Sequence, residues 1–107
     1  MQDVVFKALA DRTRRTILTR LAAGPQTVGA LASEFDMTRP AVAKHLKVLS
    51  DGGLVSVTVK GRERINSLNP QPLRLVADWL RLFDVFWDVQ LAELKHVVEK
   101  ETRGGSD

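Results

Sequence analysis

The side chains that could do chemistry in this chain are mainly cations. Lys44 and Lys47 stand three residues apart, a spacing that puts both on one face of a helix. Three more cations, Lys60, Arg62 and Arg64, follow within a five-residue stretch. Ammonium and guanidinium groups bind phosphates, and they also bind the edges of bases. The pattern therefore favours binding of a polyanion over catalysis.

Few residues indicate catalysis or metal binding. The chain has no cysteine, which excludes disulfides, zinc-thiolate sites, iron–sulfur clusters and thiol redox sensing. Asp84 and Asp88 form a carboxylate pair, but acid–base chemistry also needs a substrate-binding constellation, which the sequence does not indicate. His96 stands alone and is interpreted as a solvated residue. We expect no enzyme activity, no cofactor and no metal.

Positive charge is unevenly distributed along the 107 residues, whose formal net charge is +3. Residues 36–64 carry six Lys or Arg against three Asp or Glu, whereas residues 78–107 carry four basic against seven acidic groups. A basic region of this kind favours a polyanionic partner. The acidic end is expected to stay away from that partner.

The organisation of the chain is predicted to be simple. Residues 1–103 are expected to form one domain, and residues 104–107, which contain two glycines, a flexible tail. No segment resembles a signal peptide or reaches membrane-spanning length. We therefore expect a cytoplasmic protein with no membrane association.

Five helices and a hairpin are predicted to position the cations. Apolar spacing, with N-caps at Asp11, Thr27 and Thr38, places four helices before residue 51. A fifth helix, continuous or kinked, is expected over 73–100, where there is no internal Gly or Pro. Between the last two helices, three valines alternate with polar residues, which is the period of a strand. A turn and a returning strand follow, so the second group of cations lies at the tip of a β-hairpin.

This order of elements predicts an α+β fold, a winged helix-turn-helix that is mostly helical, with one hairpin wing and a long C-terminal helix. The second helix of such a pair enters the DNA major groove. Val42, Leu46 and Leu49 are expected to face the core. The opposite face then presents Lys44 and Lys47. The candidate DNA-binding residues are Thr38, Arg39, Pro40, Ala43, Lys44, His45, Lys47, Lys60, Arg62 and Arg64.

Several of these residues also have a purely structural interpretation. The lysines could form an ordinary solvated face, and His45 could pack locally instead of contacting a phosphate. The wing arginines are expected to enter a minor groove. Arg14 and Arg15 are expected to make intramolecular ion pairs or distant phosphate contacts rather than to bind bases.

The last predicted helix carries an apolar stripe that is too long for this domain to cover alone. At 1.5 Å per residue, a continuous helix over 73–100 would span about 40 Å. Aromatic residues at helical spacing favour an interface with a second chain over a ligand pocket. The candidate dimerisation residues are Val5, Phe6, Leu9, Trp79, Phe83, Phe86, Trp87, Leu91 and Leu94.

Three segments, within 9–18, 40–55 and 61–68, resemble the ArsR family of bacterial repressors. They look like its opening helix, its recognition helix and its wing, and the resemblance covers roughly residues 4–98. It implies a dimer built from the first and last helices, and repression that a signal relieves. Two positions depart from the family: Arg12, where it often has Pro, and Ala43, where it often has Ser.

Many members of this family sense metals, and the resemblance implies that this chain does not. The thiolate positions of the third helix fall at Thr27 and Gly29. The other common site needs Asp-x-His on the last helix, and none of Asp78, Asp84 or Asp88 has His two residues later. The branch without a metal site is the expected one.

The sequence therefore predicts a dimeric transcriptional repressor that binds a palindromic operator in double-stranded DNA. One alternative is a repressor that releases DNA when it binds a small molecule. Another is a protein-interaction winged helix, whose basic face meets an acidic partner. A DNA binder loses affinity steeply with salt and discriminates between sequences, which separates it from an adaptor.

Overall fold

The computed structural model describes the backbone of residues 2–105 and the side chains of residues 3–98. Its elements follow the order α1 (Gln2–Leu9), α2 (Arg12–Ala23), β1 (Gln26–Thr27), α3 (Val28–Phe35), α4 (Arg39–Asp51), β2 (Val55–Lys60), β3 (Glu63–Leu68), α5 (Leu73–Arg81) and α6 (Asp84–Gly105). The chain divides into two compact units, Met1–Val76 and Ala77–Asp107. Within the described part, no helix is long and apolar enough to cross a bilayer.

All three predicted N-caps are confirmed. The carboxylate of Asp11 accepts a hydrogen bond from the backbone N–H of Arg14 at 3.0 Å, at the start of α2. The hydroxyl groups of Thr27 and Thr38 do the same three residues ahead, at 3.1 and 3.3 Å. Each cap satisfies a backbone donor that has no partner within the first turn. The starts of the two helices of the helix-turn-helix are therefore fixed locally.

The core lies among α1, α2, α3, α4 and the base of the hairpin. The predicted inward face of α4 is confirmed, because Val42 and Leu49 are completely buried. Ile17 of α2 is completely buried beside them. The turn between α3 and α4 needs a left-handed residue, and Asp36 supplies it with φ 53°. The buried apolar residues are Val5, Ala8, Ile17, Leu18, Leu21, Leu31, Ala32, Val42, Leu46, Leu49, Leu54 and Val55.

The hairpin is confirmed and gains a third strand that the sequence did not predict. The sheet has the order β1-β3-β2, with Gln26 opposite Asn66 and Thr27 opposite Ile65. Two residues are too few to show a strand period. Asn66 is the buried polar residue of this sheet, and its Nδ2 donates to the carbonyl of Gln26 at 3.3 Å. This bond fixes the base of the wing to the segment before α3.

The predicted helix over 73–100, which could be continuous or kinked, is interrupted at one turn. α5 ends at Arg81 and α6 begins at Asp84. The N–H groups of Leu82 and Phe83 bond to carbonyls three residues back, at 3.1 and 3.0 Å, which is a tighter winding than α. Asp84 then begins α6, where a carboxylate is favourable in the first turn. No Gly or Pro marks the break, so residue types alone did not predict its position.

The expected tail is described only in part. The backbone of residues 104 and 105 continues α6. Residues 106 and 107 lie outside the described residues. The division into one domain and a tail stays a prediction.

Candidate nucleic-acid interface

The outward face of α4 is largely exposed. Val42, Leu46 and Leu49 point into the core, and the two lysines between them lie on the opposite side of the helix. Lys44 and Lys47 are both exposed. Thr38, Arg39, Pro40 and Ala43, at and near the start of the helix, are exposed as well. The structure thus brings six of the ten candidate DNA-binding residues together around one helix face.

The wing divides its cations between its two sides. Val59 lies opposite Arg64, and Lys60 lies opposite Glu63. Because directly opposed residues share a face of a sheet and successive residues alternate, Arg64 and Lys60 project to opposite faces. Arg64 shares its face with Asn66, whose side chain is buried at the base of the hairpin. The basic tip is therefore not one patch: Arg64 faces the helices and Lys60 faces away.

Arg64 also lies beside the recognition helix. It lines a groove with Ala43 and Lys47 of α4, and Val57 of the wing forms part of the wall. It lines a second cleft as well, together with Arg39 and Arg62. Cations of the wing and of α4 therefore line the same two clefts, together with Asp51 in the first and Glu63 in the second.

His45 lies on the flank of α4 and is half-buried beside Arg14. Nη1 of Arg14 is 3.5 Å from Nδ1 of the ring. The same guanidinium donates to the carbonyls of Ala8, at 2.7 Å, and Lys7, at 3.0 Å. These contacts connect α1, α2 and α4 through one side chain. Of the two interpretations of His45, this contact favours local packing.

The intramolecular ion pair expected for Arg14 is confirmed, whereas the partner of Arg15 is a backbone carbonyl. Arg15 donates to the carbonyl of Leu9 at 2.8 Å, and Arg14 lies 3.9 Å from a carboxylate oxygen of Asp11. The hydrogen bond from the backbone N–H of Arg14 is the main cause that lowers the pKa of Asp11 below its usual value. Nearby charges on Arg14 and His45 lower this pKa further.

The candidate dimerisation residues fall into two groups, one in each unit. In α1, Val5 is only 4% exposed and packs in the core of its own chain, whereas Phe6 and Leu9 are half-buried. In the second unit, Trp79 and Phe83 meet edge to face, with ring centroids 5.3 Å apart.

The aromatic cluster of the second unit is open to solvent. With Leu80, Phe86 and Trp87, these two rings line a shallow cavity of about 240 Å³. Phe86 is 61% exposed and Trp87 56%. Leu91 and Leu94, farther along α6, are exposed to a similar degree. The six candidates in this unit thus form an apolar surface that its own residues leave uncovered.

Two sequence relatives agree with this architecture. A family model described as a helix-turn-helix domain matches residues 9–58. The HTH-type transcriptional regulator Rv2034 of Mycobacterium tuberculosis is 40% identical over 99 residues, which cover 92% of this chain and 90% of the relative. The transcriptional repressor SdpR of Bacillus subtilis is 37% identical over 79 residues, 74% of this chain and 88% of its own.

Solved structures give the same result. The crystal structure of the ArsR family transcriptional regulator RHA00566 has 39% sequence identity and a TM-score of 0.73, and the match covers 82% of this chain and 98% of that one. The chain belongs to the ArsR family of transcriptional regulators. The homodimeric winged helix-turn-helix DNA-binding domain of Mb0332 from Mycobacterium bovis has 31% identity and a TM-score of 0.64, with 77% of each chain covered. The predicted family and fold are confirmed.

The positions that carry thiolates in metal-sensing ArsR proteins have other tasks here. Thr27 caps α3 with its hydroxyl. A Cβ built on Gly29 would lie 3.0 Å from Nη2 of Arg39 and 3.2 Å from its Cζ, so a guanidinium occupies the space beside this glycine. Over the described residues, no three His, Asp or Glu side chains are grouped as metal ligands would be.

Sequence reasoning missed the contact between Gly29 and Arg39. The two residues are ten positions apart on different helices, so no local period relates them. A signal was present, because Gly29 stands near the start of a helix made of good helix formers, where glycine is unfavourable without a spatial reason. Arg39 was a candidate from its position alone.

Proposed function

We propose that this ArsR-family regulator is a cytoplasmic, dimeric repressor that binds a palindromic operator through α4 and the wing. The observation that carries the proposal is the exposed basic face of α4, which lies beside a basic wing in a chain of this family. Repression is supported by similarity to SdpR, which is named a repressor. A bound dimer would block access of the polymerase to the promoter.

Five of the candidate residues have a task in this proposal. Pro40 and Ala43 are small, so the start of α4 can approach the groove closely. Lys44 reaches a base edge and Lys47 the flanking backbone. Lys60, on the outer face of the wing, contacts a phosphate farther along the duplex.

Dimerisation is proposed to cover the apolar surface of the second unit. A fully buried large side chain contributes ~1.5–3 kcal/mol, so several aromatic residues left in water are costly. The homodimeric Mb0332 domain supports association. We keep Phe6 and Leu9 of α1 as contributors and regard Val5 as a core residue that supports them. A two-fold axis would place the two copies of α4 about 34 Å apart, one turn of DNA.

Metal sensing is not part of the proposal. The cation of Arg39 lies against Gly29, and it would repel a metal ion at that position. Neither catalysis nor a cofactor is proposed, because the family is one of regulators and the basic face lacks a nucleophile paired with a base.

Binding to the promoter region of the protein's own gene tests this function. Fluorescence anisotropy on that duplex and on a random duplex, between low and physiological salt, should show sequence preference and an affinity that falls steeply with salt. Zinc or a chelator should leave both affinities unchanged. Weak binding without sequence preference would favour the protein-interaction alternative.

A further inference from the structure

Three arginines line one cleft of the first unit. They are Arg39, the first residue of α4, and Arg62 and Arg64 of the wing. Residues 27–29 line it as well, and the cleft has a volume of about 360 Å³. Throughout the described residues, none of the three groups has an ion-pair partner. Three cations that face one space repel one another, and an anion between them would relieve that repulsion.

The position of Arg39 depends on Gly29. The guanidinium lies so close to this glycine that an added Cβ would meet Nη2 at 3.0 Å and Cζ at 3.2 Å. Gly29 has no left-handed backbone that would require glycine, and alanine is the better residue in a helix. The space that Arg39 occupies therefore accounts for a glycine at this position of α3.

We propose that this cleft binds a single phosphate group, and that Gly29 acts by keeping Arg39 in place for it. The planar guanidinium donates two parallel N–H bonds, which match the oxygens of a phosphate. The inference rests on the proposed DNA binding, since the cleft lies between the start of α4 and the wing, and a phosphodiester of the bound duplex is the expected source. Arg62 and Arg64 would then hold the backbone instead of entering the minor groove.

One carboxylate provides a test in which DNA affinity should rise instead of fall. Glu63 also lines the cleft, although the register puts its side chain on the outer face of the wing with Lys60. Its negative charge opposes binding of the anion that the arginines attract. Its removal leaves three cations and no opposing charge. The variant Glu63→Gln should therefore bind duplex DNA more tightly than the wild type, by a few-fold.

The decisive variant is Gly29→Ala in the full chain, measured by anisotropy on the duplex from its own promoter. The added methyl displaces the far end of Arg39, so affinity should fall about tenfold, which is the scale of one charge-assisted hydrogen bond. The melting temperature should stay equal or rise, because alanine favours the helix. Gly24→Ala is the matched control, since a Cβ there meets nothing within 4 Å, and it should bind as the wild type does.

A double-variant cycle shows whether Gly29 acts through Arg39. In an Arg39→Ala background, Gly29→Ala should have no further effect on affinity. Equal losses in both backgrounds would overturn the proposal, and so would wild-type affinity of the single Gly29→Ala variant. If the wild type itself bound no duplex, the proposed function would fail first, and the two failures are thereby distinguished.

The source of the phosphate is tested separately. Replacing one backbone phosphate at a time by neutral methylphosphonate should reproduce the loss of Arg39→Ala at one position per half-site, and the two changes should not add. Inorganic phosphate that replaces chloride at constant ionic strength should weaken wild-type binding more than Arg39→Ala binding if the cleft also takes free phosphate. If neither effect is seen at any position or concentration, the cleft holds no phosphate.

Discussion

The two units of the chain differ in where their apolar residues lie. Met1–Val76 contains all twelve of the buried apolar residues in the core. In Ala77–Asp107, every described side chain is exposed, including Trp87 and Phe86. The first unit therefore has what it needs to fold around its own core, whereas the second has an apolar surface without cover. The chain thus has one set of apolar residues for folding, in the first unit, and another set for association, in the second.

The largest effect is expected from a charge on the uncovered surface. Phe86→Glu, or Trp87→Glu, should break the dimer and reduce operator affinity by about 100-fold or more, because each half-site loses its tethered partner. Sedimentation should then give the mass of a single chain, 11.9 kDa.

Gln90→Glu is the matched control for this change, since it adds the same charge at an exposed polar position of α6. It should remain dimeric and bind as the wild type does. Circular dichroism separates a folded monomer from an unfolded chain. A wild-type protein that is monomeric at micromolar concentration and still binds tightly would contradict the division of roles between the units.

A substitution that leaves a cavity in the core of the first unit should lower the stability of the fold instead of breaking the dimer. Leu49 is completely buried, and Leu49→Ala should cost about 2–5 kcal/mol of stability. Denaturant unfolding measures the loss, and cross-linking should show that the chains which remain folded still associate. If Leu49→Ala abolished association and left the stability unchanged, the assignment of folding to the first unit and association to the second would be wrong.

Lys44→Ala tests the basic face of the first unit, since an exposed side chain on α4 should affect neither the core nor the dimer. If Lys44 contacts a base edge, specific affinity should fall by ~1–3 kcal/mol while non-specific affinity changes less. Anisotropy on operator and random duplexes measures both. Equal losses on the two duplexes would reassign Lys44 to phosphate contact.

The smallest effect concerns Asp11, at the junction of α1 and α2. Its pKa is lowered in the folded state, mainly by the backbone N–H of Arg14, so its charge stabilises the fold above the unfolded value of 3.8. That contribution is lost as the pH falls through the folded pKa. Asp11→Asn keeps a cap but removes the charge, so it should melt slightly below the wild type near neutral pH.

The difference between these melting temperatures should disappear in acid. Thermal melts of both proteins along a pH series measure it. A difference that is constant at every pH would assign the role of Asp11 to cap geometry alone.

Local features of the fold were predictable from the sequence. The caps at Asp11, Thr27 and Thr38 and the inward face of α4 depend on residues within one or two turns, and the structure confirms them. The opposing faces of the wing follow from its register, which the sequence left open by a residue or two.

Features that depend on distant partners were not predictable in the same way. β1 forms because it pairs with β3. The turn before Asp84 contains neither Gly nor Pro, the residues that usually mark the end of a helix. The cleft joins Gly29, Arg39 and the wing across the fold, so only three-dimensional packing could show it. Sequence reasoning therefore found the candidate cations but not how they are grouped.

The buried amide of Asn66 has a consequence for the order of folding. Its bond to the carbonyl of Gln26 joins residues 40 positions apart, and the helices between them make closer contacts along the chain. Contacts at long sequence separation form late because a large loop must first close. The wing is thus expected to dock after the helix-turn-helix has formed. During synthesis, α4 would therefore be formed before the hairpin that completes the proposed DNA-binding surface.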